Sequence, residues 1–352
     1  MIDKTVAARK LALTALRYSG LASLARHAVT RLGAIMMLHR VTSERVSPLG
    51  VNSHLTISPD FLDALLTEMR RLGYAFLSMD ELMEHLSRGA RGGLVAAFTA
   101  DDGYRDNAEE ALPVLEAHDA PLAIYVAPGL VDGAADLWWD VLETIIAKSD
   151  RIDFETGDGP RTIDATTPAQ KRAANARLHD YLTRQVPERE QVSVLRRMAN
   201  AACVDPQEPA RTTLLDWSGI AALAERPSVT IGAHTVHHVN LKRLESQAAL
   251  EEMVRSATLI EARTGRRPLH FAYPYGSPAA VGPREVGLAA EAGFTSAVTT
   301  RHGLLRPDHA AHPHALPRIS VNGLYQEIGY MRTLLSGITT PMANAGRLTV
   351  TV

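Results

Sequence analysis

The chain has 352 residues, 46% hydrophobic and 22% charged, with a net charge of −2, which suits a globular protein of one large α/β domain or two smaller ones. No global field draws it to nucleic acid or to anionic lipid. Its one cysteine, Cys203, excludes an intramolecular disulfide framework and a cysteine-based zinc site, and no apolar run is long enough to span a bilayer.

Met1 to Ala28 has neither the apolar core nor the cleavage site of a secretion signal, so a cytoplasmic protein is expected. Lys4, Arg9, Lys10, Arg17, Arg26 and Arg31 alternate with Leu11, Leu13, Leu16, Leu21 and Leu24. This predicts an amphipathic basic helix over residues 1–32. It either packs on its own domain or makes peripheral contact at the inner membrane face.

Gly33 to Leu38 reads as a buried strand ending at His39-Arg40, and residues 41–58 as loop. Ser58-Pro59-Asp60 opens a helix to about Leu72. Tyr74–Leu77 is a strand, Asp80–Ser87 a helix, and Leu94–Thr99 a strand. A helix over 107–118 and a strand over 122–127 follow. This alternation argues for a mostly parallel sheet. Residues 131–215 change character: Trp138-Trp139-Asp140 starts a helix, 151–163 suggests a hairpin, and 168–203 is charged and helical. We read them as an insertion packed beside a main domain spanning 33–340. The alternation resumes with strand Ser228–Gly232, a helix over 244–263, strand Leu269–Ala272, a helix over 283–292, strands 295–299 and 315–321, and a helix near 323–336. The tail, 341–352, reads as peripheral.

Two strand ends carry chemistry. Val95–Ala100 runs straight into Asp101-Asp102-Gly103. Adjacent carboxylates repel unless a cation or a shared proton offsets their charge. They point in different directions, so one can bind metal while the other handles protons. Alone, the triplet also reads as a solvated turn. His234 and His238 lie four apart after another strand, where one helical turn would let both grip one cation. A solvated His-rich turn is the alternative for that pair by itself. Two histidines with one carboxylate leave an open position, as catalytic metals require.

Thr99-Ala100-Asp101-Asp102-Gly103, His234-Thr235-Val236-His237-His238 and Tyr273-Pro274-Tyr275-Gly276 resemble, in order, the motifs of the polysaccharide deacetylase (NodB-homology) family. The resemblance covers roughly 33–130 and 216–321. It implies a distorted (β/α) barrel and metal-dependent removal of acyl groups, here acetyl and expected to be N-acetyl, from a sugar, oligosaccharide or glycolipid. It implies Asp101 as general base and Asp102, His234 and His238 as metal ligands. The ion expected is zinc, with cobalt, manganese or nickel as alternatives. The Tyr275 backbone amide would hold the oxyanion.

Three departures stand out. Ala100 replaces the usual aromatic before the acid pair. Ala272 stands where many members carry an arginine that steers the base. No late Leu-x-His supplies the general acid. Ile35-Met36-Met37-Leu38-His39-Arg40-Val41 resembles the N-terminal strand of circularly permuted members such as poly-N-acetylglucosamine deacetylases, which makes His39 the expected acid, with His314 next to test. Arg318, in Leu316-Pro317-Arg318-Ile319, is a replacement guanidinium, or a surface ion pair. Trp138 and Trp139 either stack on sugar rings or bury their faces. Two other functions share features with this pattern. A non-haem iron oxygenase also uses two His and one carboxylate, but needs no second acid. Ala100 and Ala272 would suit a catalytically weak carbohydrate-binding relative.

Overall fold

The computed structural model describes residues 2–28, 31–89 and 92–352. Its centre is a closed barrel of seven parallel strands with flanking helices. In chain order the longer strands are β1 (Gly33–Leu38), β2 (Tyr74–Phe76), β3 (Leu94–Ala100), β4 (Leu122–Val126), β5 (Arg151–Thr156), β6 (Gly159–Asp164), β7 (Val229–Ala233), β8 (His270–Ala272), β9 (Ser296–His302) and β10 (Leu316–Ser320), and a two-residue pair, Arg40–Val41 with Thr56–Ile57, forms a small sheet of its own. The ring runs β1-β10-β9-β8-β7-β4-β3 and closes where β3 pairs with β1 from Gly33↔Val95 to Leu38↔Ala100. β2 lies outside the ring, on the first half of β3. β5 and β6 form a separate antiparallel hairpin.

Side chains alternate across each strand, and the two sets bury in different places. Ile35, Val95, Ala97, Ala123, Tyr125, Ala272, Val298 and Leu316 fill the barrel interior, with Met79, Leu82 and Leu86 packed in the same cluster. Ala34, Met36, Leu38, Phe98, Ile124, Phe271 and Ile319 face the outer helices. The inner parity continues past the strand ends. Thr99 and Asp101 follow Ala97, and His39 follows Ile35 and Met37. Period-two alternation therefore aims both His39 and Asp101 into the mouth of the barrel.

Helix α1 (Ile2–Tyr18) and helix α2 (Leu21–Ala28) replace the single N-terminal helix expected, because the chain breaks at Ser19-Gly20, where Gly20 takes φ 77°. Helix α3 (Pro59–Arg71) starts on a Ser58 side chain that accepts from the Phe61 N–H. The segment 131–215 contributes helix α4 (Trp138–Lys148), the β5–β6 hairpin, helix α5 (Pro168–Asp180) and helix α6 (Gln191–Ala201). It has its own core, built from residues such as Val141, Ile145, Phe154, Leu178 and Leu195. Helix α7 (Ile328–Leu335) packs against both α1 and α3. The tail is tied down rather than loose. Val350 is buried, its carbonyl bonds His309 Nε2, and the Thr351 carbonyl accepts from Arg301. Among the described residues, no helix is long and apolar enough to cross a membrane.

Candidate active site

The C-terminal ends of β1, β3, β7, β8 and β10 bring the singled-out residues to one face, as parallel barrels do. Asp101 and Asp102 directly follow β3 and are both buried. Asp102 takes φ 74° and Gly103 φ 78°, so the chain turns sharply between the acids. Past β7, Thr235 and His238 are also left-handed, at φ 59° and 54°. A non-glycine residue held this way costs about 1–3 kcal/mol, and such strain gathers where function fixes the backbone.

That backbone makes three ligand atoms converge. Asp102 Oδ1 lies 3.6 Å from His234 Nε2 and 3.3 Å from His238 Nε2. Asp102, His234 and His238 together have the arrangement of a metal-binding triad. Asp102 Oδ1 is buried and has no hydrogen-bond partner, which a cation would satisfy. His234 Nδ1 bonds the Ala272 carbonyl at 2.7 Å, which turns Nε2 and its lone pair toward Asp102. Burial lowers the His234 pKa to about 4, so the ring is neutral and able to ligate. The donor set therefore fits a divalent ion. His237 turns the other way, onto Glu252 at 2.7 Å.

Asp101 takes no part in that cluster. Its two oxygens each accept from Arg318, at 2.7 Å and 2.7 Å. Arg318 is itself buried, with Nε donating to the Thr299 carbonyl and Nη1 to Thr99 Oγ1. Burial works against charge on Asp101, but the Arg318 guanidinium outweighs it and holds the carboxyl well below the usual range. The small Ala272 side chain lines the same interior.

His39 follows the last residue of β1. Leu38 pairs with Ala100, and the Asp101 N–H donates to the Leu38 carbonyl, so His39 and Asp101 stand level. The Asn107 side chain holds the His39 carbonyl at 2.7 Å, and the imidazole charge acts on both Asp101 and Asp102. His314 lies at the other end of the barrel, just before β10, and bonds the Phe294 carbonyl. Trp138 is buried in the insertion core and donates to the Tyr275 hydroxyl at 3.0 Å. Trp139 is half-buried; its ring lies 4.9 Å from that of His238, and its N–H donates to Tyr104. Both indole donors are thus already used by protein.

One wall residue escaped the sequence reading. Asp140 reads as an ordinary acid in the first turn of a helix. In the fold, its Oδ1 accepts from Asn52 at 3.2 Å, while no protein donor among the described residues meets Oδ2. Asn52 comes from the loop after β1, and Glu143 locks that loop by accepting from Ser47, the Leu49 N–H and Asn52. Burial pushes Asp140 up to about 7, against the pull of Arg40, with Glu143 and Asp102 adding to the rise. An acid raised this way destabilises the fold only when ionised. The penalty is absent below the ordinary value of 3.8 and complete above about 7. Asp140→Asn is therefore expected to raise the thermal midpoint in alkaline buffer and leave it unchanged in acid. An equal shift at both ends would refute this account.

The family model for polysaccharide deacetylase matches residues 88–297. The chain belongs to the polysaccharide deacetylase family. This deacetylase is therefore a hydrolase of acetylated carbohydrate. No curated protein matches it. Among solved structures, it is similar to the Streptococcus pyogenes deacetylase PplD in complex with acetate, at 18% identity and TM-score 0.57, over 87% of this chain and 99% of that one. IcaB from Ammonifex degensii aligns at 17% identity and TM-score 0.52, over 86% and 96% of the two chains. The BpsB deacetylase domain from Bordetella bronchiseptica aligns at 16% identity and TM-score 0.50, over 82% and 95%. At these identities the likeness concerns the fold alone.

Proposed function

We propose that this deacetylase removes N-acetyl groups from a sugar, oligosaccharide or glycolipid, using a divalent ion held by Asp102, His234 and His238. The observation that carries the reading is the convergence of those ligand atoms beside a separate, arginine-clamped carboxylate. An oxygenase with the same ligand types has no use for that second acid.

When bound, the ion supplies Lewis acidity, lowering the pKa of water and polarising a carbonyl. The chain's own residues do the rest. Arg318 orients Asp101 and keeps it ionised, so it is ready to accept a proton from the attacking water. The Tyr275 backbone N–H donates to the oxygen that gains charge as water adds to the acetyl carbon. His39 gives its proton to the sugar nitrogen as the carbon–nitrogen bond breaks, releasing acetate and the amino sugar. The acid-bearing strand comes first in this chain, as the resemblance implies for the permuted branch. Trp139, beside His238, and the free Asp140 oxygen form the wall that a sugar ring would meet.

Acetate release across a panel of acetylated glycans and lipid-linked sugars tests the reading. Activity on an N-acetyl substrate is expected, lost on chelation and restored by zinc, cobalt, manganese or nickel. Turnover undiminished after complete chelation would sink the metal assignment. Glycan binding with no acetate released from any substrate would sink the enzymatic one.

A further inference from the structure

The mouth of the barrel holds an acid and a cation that feel each other's charge and yet do not pair. Arg40 follows His39 past the end of β1. Its Nε donates to Asp106 Oδ2 at 2.8 Å, and its guanidinium lies over the Tyr104 ring, 4.9 Å from the centre. Asp106 is fixed in turn by the Val41 N–H and the Asn107 side chain. Neither Nη of Arg40 has a protein hydrogen-bond partner among the described residues. Asp140, on helix α4, is held in the same one-sided way. Asn52 donates to one oxygen, and Asn52 is itself held by the Trp139 carbonyl and Glu143. The other oxygen is open. The Arg40 charge pulls on Asp140, but the two form no salt bridge, and both side chains keep contact with solvent.

The chemistry of that gap selects its occupant. An amine would suit the acid and a carboxylate or phosphate the guanidinium, but each would also meet a like charge. A hydroxyl has one hydrogen to donate and two lone pairs to accept with, so it satisfies both groups at once. Hydrogen bonds to charged partners are also the stronger ones. Trp139 adds an apolar surface beside them. It is half-buried, its N–H is already donated to Tyr104, and its ring lies 4.9 Å from that of His238. What remains of the indole is a face, on which the C–H side of a pyranose can lie.

We propose that Asp140 and Arg40 together read one hydroxyl of the pyranose that carries the acetamide. The hydroxyl donates to the open Asp140 oxygen and accepts from an Arg40 Nη, while the ring rests on Trp139. The substrate class narrows to N-acetylated hexosamines in which that hydroxyl is free. The acetamide rests on the deacetylase reading; recognition of the hydroxyl needs no turnover.

The test is equilibrium binding by calorimetry, in zinc-containing buffer above about pH 7, where Asp140 is ionised. The full chain carries Asp101→Asn, so that ligand is not consumed. The probes are the methyl glycoside of N-acetylglucosamine and its three monodeoxy counterparts. One deoxy probe is expected to bind about tenfold more weakly than the parent, as suits a lost hydrogen bond to charged groups. Adding Asp140→Asn keeps the bond from Asn52 but puts a donor where the open acceptor was. It should weaken the parent about tenfold and leave that one deoxy probe unchanged. Arg40→Lys keeps a cation on Asp106 but has no fork left for the mouth, and should act alike. Thermal midpoints no lower than that of the parent chain show that both variants are folded. Equal affinity for all four probes overturns the proposal, as does no binding of any of them at millimolar concentration. So does an Asp140→Asn loss that falls equally on every probe. Selective loss with one deoxy probe, in a wild-type chain that releases no acetate, would uphold the hydroxyl reading and sink the deacetylase one.

Discussion

Asp101→Asn is expected to keep its metal and lose turnover by roughly 10²–10⁴, the range for removing a general base. The three converging atoms that could hold an ion belong to Asp102, His234 and His238, and Asp101 points its oxygens at Arg318 instead. An amide cannot accept the proton of the attacking water, yet it fills the same space. Metal content measured alongside kcat separates the two roles: equal loss of both would make Asp101 a ligand. His39→Ala is the companion measurement. It too should keep metal while amide turnover falls steeply. An ester should suffer less, because its leaving group needs less protonation than an amine. Metal retention with unchanged amide hydrolysis would remove His39 from the mechanism.

Arg318→Met is expected to have the largest effect on the fold. The arginine is fully buried and meets both oxygens of a buried carboxylate. Taking away one partner of such a pair typically costs about 3–5 kcal/mol, because the other charge is left stranded. Asp101 is depressed in the native protein, so the pair's contribution is present above the ordinary carboxylate value and is lost as pH falls through the depressed one. Without Arg318, burial is opposed only by the smaller pull of His234 and His39, and the carboxyl rises. The destabilisation should therefore be large near neutral pH and shrink in acid, and the acid limb of any residual activity should move to higher pH. Adding Asp101→Asn to Arg318→Met should recover stability but not turnover. Arg318→Lys should fall between, since an ammonium cannot meet both oxygens in the same plane. An Arg318→Met variant as stable as wild type at neutral pH would contradict the pairing.

What the sequence determined by itself is local. Strand periodicity and the turn at Asp101-Asp102-Gly103 are written within a few residues, as is the four-residue step from His234 to His238. Each depends on period-two or helical geometry that neighbouring residues enforce. Repeated strand–helix alternation carried this to a mostly parallel sheet, the resemblance to the deacetylase family implied a barrel, and a barrel collects strand ends at one mouth. Even here the local rule had a limit. Helical spacing suggested why two histidines share a ligand face, but the backbone achieves it with left-handed residues that spacing does not reveal.

The tertiary structure decided whatever depends on two distant segments meeting. Arg318 reaches Asp101 across 217 residues of chain, because β10 and β3 both flank β1 in the closed ring. Sequence could offer Arg318 as a guanidinium, but not distinguish a buried clamp from a surface pair. Asp140 reads as a common helix-start acid until the fold buries it near Glu143 and Asp102, which raises its pKa against the pull of Arg40 and Asn52. The N-terminal amphipathicity was plain, yet which face turns inward depends on what α7 offers to pack against. Hydrophobic periodicity says that a helix has two faces; only the fold decides which one meets solvent.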